Sequence, residues 1–177
     1  MTKDLIDAIE QRRSVREFKP DPVPDATISR IVGCALMAPS AGNVQPWRFW
    51  VVKRPDVKAA LARAAFGQGF VEEAPVVVVV GAEPNRSAAR YGKRGSELYC
   101  IQDTAAAIQN MLLTVVAYGL GACWVGAFDE GEAKRALGLP EDVRPVAMIP
   151  IGYPKRDPAG KRPRPQRPWE EVVTVVE

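Results

Sequence analysis

The sequence predicts a single α+β domain in which several helices surround a small β-sheet, and three observations lead there. Val76-Val77-Val78-Val79-Val80 is a continuous apolar run of the kind found in strands buried on both faces. Residues 101–118 form a long, alanine-rich helical stretch that is apolar around most of its circumference, so it must be central or pack on a second subunit. A chain of 177 residues suffices for one well-buried core and is too short for two ordinary domains. Residues 1–177 are therefore read as one domain, with an extended tail from about residue 154 onward.

Each element has a local reason. Thr2 is placed to cap a first helix with the apolar face Leu5, Ile6 and Ile9, ending near Arg13. After the proline-rich connector 20–24, Asp25 is placed to cap a second helix. Its stripe Ile28, Ile31, Val32, Ala35 and Leu36 has helical spacing, and it stops at Pro39. Residues 39–43 form a loop, 48–53 (RFWVVK) a strand and 57–65 a helix. Residues 86–95, polar and without strong periodicity, predict a mobile surface segment. Ile101, Ala105, Ile108, Leu112 and Val115 mark the seam of the long helix, which Gly119 and Gly121 end before a strand at 122–125. A short helix at 132–137 and a strand at 146–151 follow. The tail at 154–168 holds several prolines and is expected to be extended, while Val172-Val173-Thr174-Val175-Val176 is β-prone and suited to pairing with a partner subunit's sheet.

Composition removes whole classes of chemistry. The chain has no histidine, which excludes Ser-His-Asp and Cys-His hydrolases and any imidazole-based zinc site. Three widely spaced cysteines make a disulfide framework, a CxxC pair or a thiolate metal site poor readings, and a reduced cytoplasmic protein is expected. No apolar run is long enough to serve as a signal peptide or to span a membrane. The net charge of +3 is small, but the basic residues gather at the two ends, in 3–19 and 155–167. With imidazole absent, a bound organic cofactor is the natural carrier of any chemistry.

Four constellations stand out, each with a bland alternative. Arg12, Arg13, Ser14 and Arg16 offer guanidinium forks and a hydroxyl suited to phosphate oxygens, and equally complement a helix C-terminus. Pro39, Ser40, Ala41, Gly42 and Asn43 let a backbone approach a ligand closely, and equally make a turn. Gly119, Gly121 and Gly126 suggest a dinucleotide fingerprint, but the order is wrong. Here the glycines close a helix and open a strand, leaving Gly126 as a point of close contact with a flat ligand. The basic tail around Arg164 and Arg167 is a solvated segment or a nucleic-acid contact, the latter disfavoured because aromatics are not interleaved with the charges.

Together, in this order, the motifs RRSVREF at 12–18, APSAGNVQPWRFWVV at 38–52, DTAAAIQNMLLTVVAYGLGACWVGAFD at 103–129 and IPIGYP at 149–154 resemble the FMN-dependent nitroreductase family over essentially the whole chain. The resemblance implies a mostly antiparallel central sheet and an interlocked homodimer with FMN at the subunit interface. It also implies that Arg12, Arg13, Ser14 and Arg16 contact the FMN phosphate and ribityl chain. Pro39, Ser40, Ala41 and Asn43, from the other subunit, would lie against the isoalloxazine ring. Gln68, in GQGFVEEAP, would meet its pyrimidine edge. Trp124, Val125 and Gly126 would face the ring near N5, and Arg164 and Arg167 would return to the phosphate. Two basic clusters far apart in sequence repel if brought together without an anion, and a phosphate resolves that conflict.

The function so implied is a ping-pong oxidoreductase. NAD(P)H reduces bound FMN, and the flavin N5 rather than a side chain carries the chemistry to a small acceptor such as a quinone or nitroaromatic, with no metal. Specialised superfamily members that dehalogenate substrates or fragment flavin are an alternative, as is a non-catalytic flavin-binding sensor. A nucleic-acid binder, in contrast, would give a colourless preparation with strongly salt-dependent binding.

Overall fold

The computed structural model describes residues 4–158 and 165–177. Its centre is a four-stranded sheet of β1 (Trp47–Val52), β2 (Val76–Ala82), β3 (Gly121–Ala122) and β4 (Arg144–Gly152), in the order β1-β2-β4-β3 with every neighbouring pair antiparallel. The valine run lies in β2 between β1 and β4, and its period of two sorts it between two cores. Val76, Val78 and Val80 face α2 (Asp25–Ala35) and α6 (Cys100–Ala117), meeting Ile28, Ile31, Ile108 and Met111. Val77 and Val79 face α3 (Pro55–Ala64) and α7 (Glu130–Leu137), meeting Leu61 and Ala133. The predicted α+β class holds, as helices on both faces of a small antiparallel sheet.

Helix α6 is the central element and packs against α2, against α1 (Leu5–Gln11) and against all four strands. Its buried stripe runs through Thr104, Ala107, Ile108, Met111 and Val115. It is rotated from the expected seam, because Ile101 and Ala105 remain partly exposed. Alanine-rich sequence marks such a helix as buried but does not fix which side faces which neighbour.

Several local expectations are corrected. Thr2 lies outside the described residues, and Asp4 caps α1, its Oδ1 accepting the Asp7 N–H at 2.9 Å. Asp25 is the first residue of α2, after Pro24 at the cap, and places its carboxylate in the first turn where the helix dipole favours it. The supposed mobile segment is α5 (Pro84–Arg94), kinked at Gly92, followed by a π-helical turn at Gly95–Tyr99 that leads into α6. Two of its exposed arginines tie it to the backbone of the 42–44 stretch. Arg86 Nε donates to Val44 O at 2.7 Å and Arg90 Nη1 to Gly42 O at 2.9 Å. Of the strand expected at 122–125, only Gly121 and Ala122 pair regularly, and the chain rejoins the sheet at Val125, bridged to Met148. In the tail, Trp169–Val172 is a short helix, α8, and 173–177 has no regular structure. Among the described residues the β-prone valines pair with no strand.

The face expected to bury α1 does not do so. Leu5, Ile6 and Ile9 are 64%, 61% and 48% exposed, and the helix is anchored by buried Ala8. Val175 and Val176 of the tail are likewise exposed. Among the described residues, no helix is long and apolar enough to cross a membrane.

One piece of non-sheet backbone positions the site. After α1 the chain runs extended alongside β3 and the end of β4. It is tied by Val15 N–H to Ala122 O at 2.9 Å, Lys19 N–H to Tyr153 O at 2.8 Å and Lys155 N–H to Glu17 O at 3.0 Å. Close approach requires a glycine beneath it, since a Cβ on Gly121 would lie 2.7 Å from Val15 Cγ2.

Candidate functional site

Because the 12–17 segment is extended, its side chains alternate, and this divides the RRSVR motif. Val15 is buried against the sheet, and Arg13 turns with it into a small cavity of about 100 Å³ that includes Gly119, Leu120 and Gly121. Arg13 Nη1 donates to Glu10 O at 2.5 Å and Arg12 O at 3.0 Å, and its Nε is buried without a partner. Arg12, Ser14 and Arg16 gather instead around Cys123, just beyond β3. Burial pushes the Cys123 thiol up from its ordinary value, opposed by the positive charge of Arg16, a hydrogen bond with Ser14 and the charge of Arg12.

Two more segments arrive at the same place. The turn after α3 carries Gln68, whose Nε2 donates to Ala65 O at 2.9 Å and to Ala127 O at 3.3 Å, tying that turn to the chain beyond Val125. Phe70, first residue of α4 (Phe70–Glu73), lies under the Arg16 guanidinium, 5.7 Å from carbon to ring centroid. Val125 buries its side chain and uses both backbone groups on Met148, at 2.9 and 3.0 Å. Trp124 and Gly126 are thus the exposed members of their trio. Beside Ser14 and Arg16 opens a cavity of about 250 Å³, also lined by Glu17, Arg156 and Pro158. Arg156 Nε stands 3.6 Å from Glu17 Oε2.

The Pro39–Asn43 loop is held by different elements. Its three-residue 3₁₀ turn, Ala41–Asn43, is bound from one side by Arg86 and Arg90 of α5 and from the other by Asp103 of α6, whose Oδ1 accepts the Ala41 N–H at 3.1 Å. Gly42, Asn43 and Gln45 take φ of 53°, 56° and 53°, a left-handed conformation costly for the two residues with side chains. Gly42 is also crowded, since a Cβ there would lie 2.3 Å from the Tyr91 hydroxyl. Of the late basic residues, Arg164 lies outside the described residues. Arg167 is paired with Glu171 at 3.3 Å, one turn on.

The structure therefore brings Arg12, Ser14, Arg16, Gln68, Trp124 and Gly126 to one region. Arg13 lies behind that region, and the 39–43 loop and Arg167 are placed by other contacts. Sequence reasoning missed Phe70, Arg156 and Asp103 as site neighbours. Arg156 belongs to a basic cluster already visible, and Asp103 opens a quoted motif, but nothing about Phe70 sets it apart from a core aromatic. At Cys100 and Cys123 burial pushes the thiols up from the ordinary range, the wrong direction for a nucleophile.

Guanidinium and hydroxyl donors beside a cavity, with an exposed indole and a carboxamide near the same strand end, give this region of the α+β fold chemistry suited to an anionic, partly aromatic ligand. Residues 9–69 and 63–153 match the profile of the nitroreductase family. The chain belongs to that family, and with it to the oxidoreductases. It is 36% identical over 197 aligned positions to the NADH dehydrogenase of Thermus thermophilus, covering 96% of this chain and 95% of that one. To the 5,6-dimethylbenzimidazole synthase of Rhodobacter capsulatus it is 31% identical, covering 85% and 84%. Among solved structures it resembles the NADPH:FMN oxidoreductase of Vibrio harveyi complexed with NAD+, with a TM-score of 0.87 and 25% identity, covering 99% of this chain and 78% of that one. The guanidinium and hydroxyl donors of Arg16 and Ser14, beside a cavity of about 250 Å³, have the chemistry to receive a phosphate such as that of FMN.

Asp103 gives a prediction of its own. Burial raises its carboxyl pKa, with the Ala41 N–H pulling the other way. A carboxyl whose folded pKa is raised contributes stability that is present below the unfolded value of about 4 and lost as pH rises through the folded one. Asp103→Asn should therefore gain stability relative to the natural chain as pH rises from about 4 to 7. Urea unfolding across that window reads the difference; a constant difference would mean that the Asp103 carboxyl is not shifted by folding.

Proposed function

We propose that this protein is an FMN-dependent NAD(P)H oxidoreductase that works as a homodimer on a small acceptor such as a quinone or nitroaromatic, by a ping-pong mechanism. The observation that carries the reading is the convergence of Arg12, Ser14 and Arg16 on the strand end at Cys123, beside a cavity of phosphate-accommodating size. Family membership and the likeness to an NADPH:FMN oxidoreductase support it.

Bound FMN supplies a ring that takes a hydride equivalent from the nicotinamide donor and later passes it to the acceptor. The chain's part is to bind, orient and exclude water. Arg12, Ser14 and Arg16 hold the phosphate, with Arg13 bracing their segment from behind. Gln68, fixed to Ala65 and Ala127, presents its remaining carboxamide oxygen as an acceptor for a ring N–H. Trp124, Val125 and Gly126 form one wall, through Val125 backbone already locked to the sheet. Pro39, Ser40, Ala41 and Asn43 come from the other subunit. Arg164 and Arg167 reach the phosphate last, Arg167 by giving up Glu171. The uncovered apolar residues of α1 and of the tail support the homodimer, since a second copy would remove them from water.

A second reading, favoured by the likeness to 5,6-dimethylbenzimidazole synthase, is a specialised synthase of the same family. Detection of 5,6-dimethylbenzimidazole after incubation with FMN and NADH in air would select it over the reductase. A sensor that binds flavin without turnover would yield neither product nor donor oxidation.

Arg16→Glu should weaken FMN binding by about two orders of magnitude, because it replaces a charge-assisted contact worth roughly 1.5–3 kcal/mol with a like charge facing the phosphate. Flavin retained after dialysis measures this, and undiminished content would remove Arg16 from the site. Deleting residues 170–177 should raise the dimer dissociation constant. Sedimentation down to nanomolar protein checks it, and an unaltered profile would show that the tail does not embrace the partner.

A further inference from the structure

Asp103 is out of place by the ordinary rules of burial. It is a carboxyl group only 7% exposed, in the first turn of a helix whose buried side is apolar but for Thr104, which bonds its own helix backbone. One oxygen, Oδ1, accepts the Ala41 N–H at 3.1 Å, while Oδ2 is buried with no hydrogen-bond partner. A buried carboxylate with half of its acceptor capacity unmet lowers the stability of the fold, and an alanine or leucine there would relieve that cost. What it touches makes its presence intelligible. Ala41 opens the turn in which Gly42, Asn43 and Gln45 adopt φ between 53° and 56°. Left to itself, such backbone relaxes toward the ordinary right-handed or extended regions.

The loop's other restraints show how the load is divided. Ser40 Oγ accepts the Gln45 N–H at 3.0 Å, and Asn43 Oδ1 accepts from Gln45 Nε2 at 2.9 Å. Both bonds lie within the loop and move with it. Arg86 and Arg90 reach it from α5 through long, exposed side chains whose ordering costs entropy. Asp103 grips it with a short side chain from the central helix, through one carboxyl oxygen that accepts the Ala41 N–H.

We propose that Asp103 is a positioning residue of the cofactor site, holding the Ala41 N–H so that the Ser40–Asn43 loop stays in its left-handed, ligand-facing conformation. This rests on the flavin reading above for what the loop faces, but not for the contact itself. Asp103 touches no reacting atom; it acts through the loop, at a cost to stability that the core alone would not select.

The test compares Asp103→Ala, Asp103→Asn and the natural chain by two readouts. Hydrogen exchange of the Ala41, Asn43 and Gln45 amides in apoprotein reports the loop without any flavin. Fluorescence titration with FMN reports the consequence. Asp103→Ala should accelerate exchange at all three amides and raise the FMN dissociation constant about tenfold or more, whereas Asp103→Asn, which keeps an acceptor, should raise it less than about fivefold. A merely structural core residue would not give that graded rescue. If Asp103→Ala does not fold, Ala41→Pro removes the donor instead. The extended backbone of Ser40, φ −142° and ψ 152°, tolerates a following proline, and the same weakening of FMN binding is expected. Unchanged exchange in Asp103→Ala, or accelerated exchange with unchanged FMN affinity, would overturn the proposal. Natural-sequence protein that takes up no FMN would instead overturn the flavin reading, while the exchange data would still decide whether Asp103 holds the loop.

Discussion

The rest of the structure depends on the extended segment that follows α1 being laced to the end of the sheet. Three backbone hydrogen bonds, from Val15 to Ala122, Lys19 to Tyr153 and Lys155 to Glu17, place it alongside β3 and β4. The consequence is chemical as well as architectural. An extended chain alternates its side chains, so fixing Val15 into the core turns Ser14 and Arg16 outward together. Gly121, with no room for a Cβ beneath Val15, is what lets the two backbones come close enough. Positive charge is thereby delivered to a strand end where Gln68, Trp124 and Gly126 already sit, and no loop has to fold around a ligand to assemble it.

Much of this was legible in the sequence. Five valines in a row specified a strand covered on both sides, and the period-two division between two helical layers followed directly. The RRSVR and APSAGN motifs marked two segments, each with an ordinary structural use as well; the fold gathers Arg12, Ser14 and Arg16 of the first around Cys123 and holds the second by contacts from α5 and α6. Less legible was anything decided by contacts distant in sequence. Residues 86–95 read as mobile because their polarity suggests solvent, yet Arg86 and Arg90 direct their guanidinium groups onto carbonyls about forty residues earlier in the chain. Phe70 is indistinguishable from a core aromatic until Arg16 is seen above it. The rotation of α6 could not be read either, since alanine marks burial without choosing a direction.

The two halves of the candidate site are built on different physical terms. The cationic half is fixed by backbone pairing, with the Arg16 guanidinium resting over Phe70. The loop half is strained, with Asn43 and Gln45 at positive φ, and is held by a carboxylate whose own burial is unfavourable. Sites commonly sacrifice stability in this way where a ligand demands a fixed backbone. Here the two halves are positioned by separate elements of one chain. If the loop serves a ligand on the partner, strain in one subunit is offset by binding in the other, and assembly and cofactor retention become linked.

The proposed function requires this arrangement to hold FMN and pass reducing equivalents through it. It is tested most directly by the visible absorption spectrum of the purified protein, with the released chromophore identified by mass, before and after anaerobic addition of NADH or NADPH. Flavin bands, near-stoichiometric FMN and bleaching by at least one of the two donors are expected. A colourless protein that takes up no added FMN, or a flavin that neither donor bleaches, would contradict it.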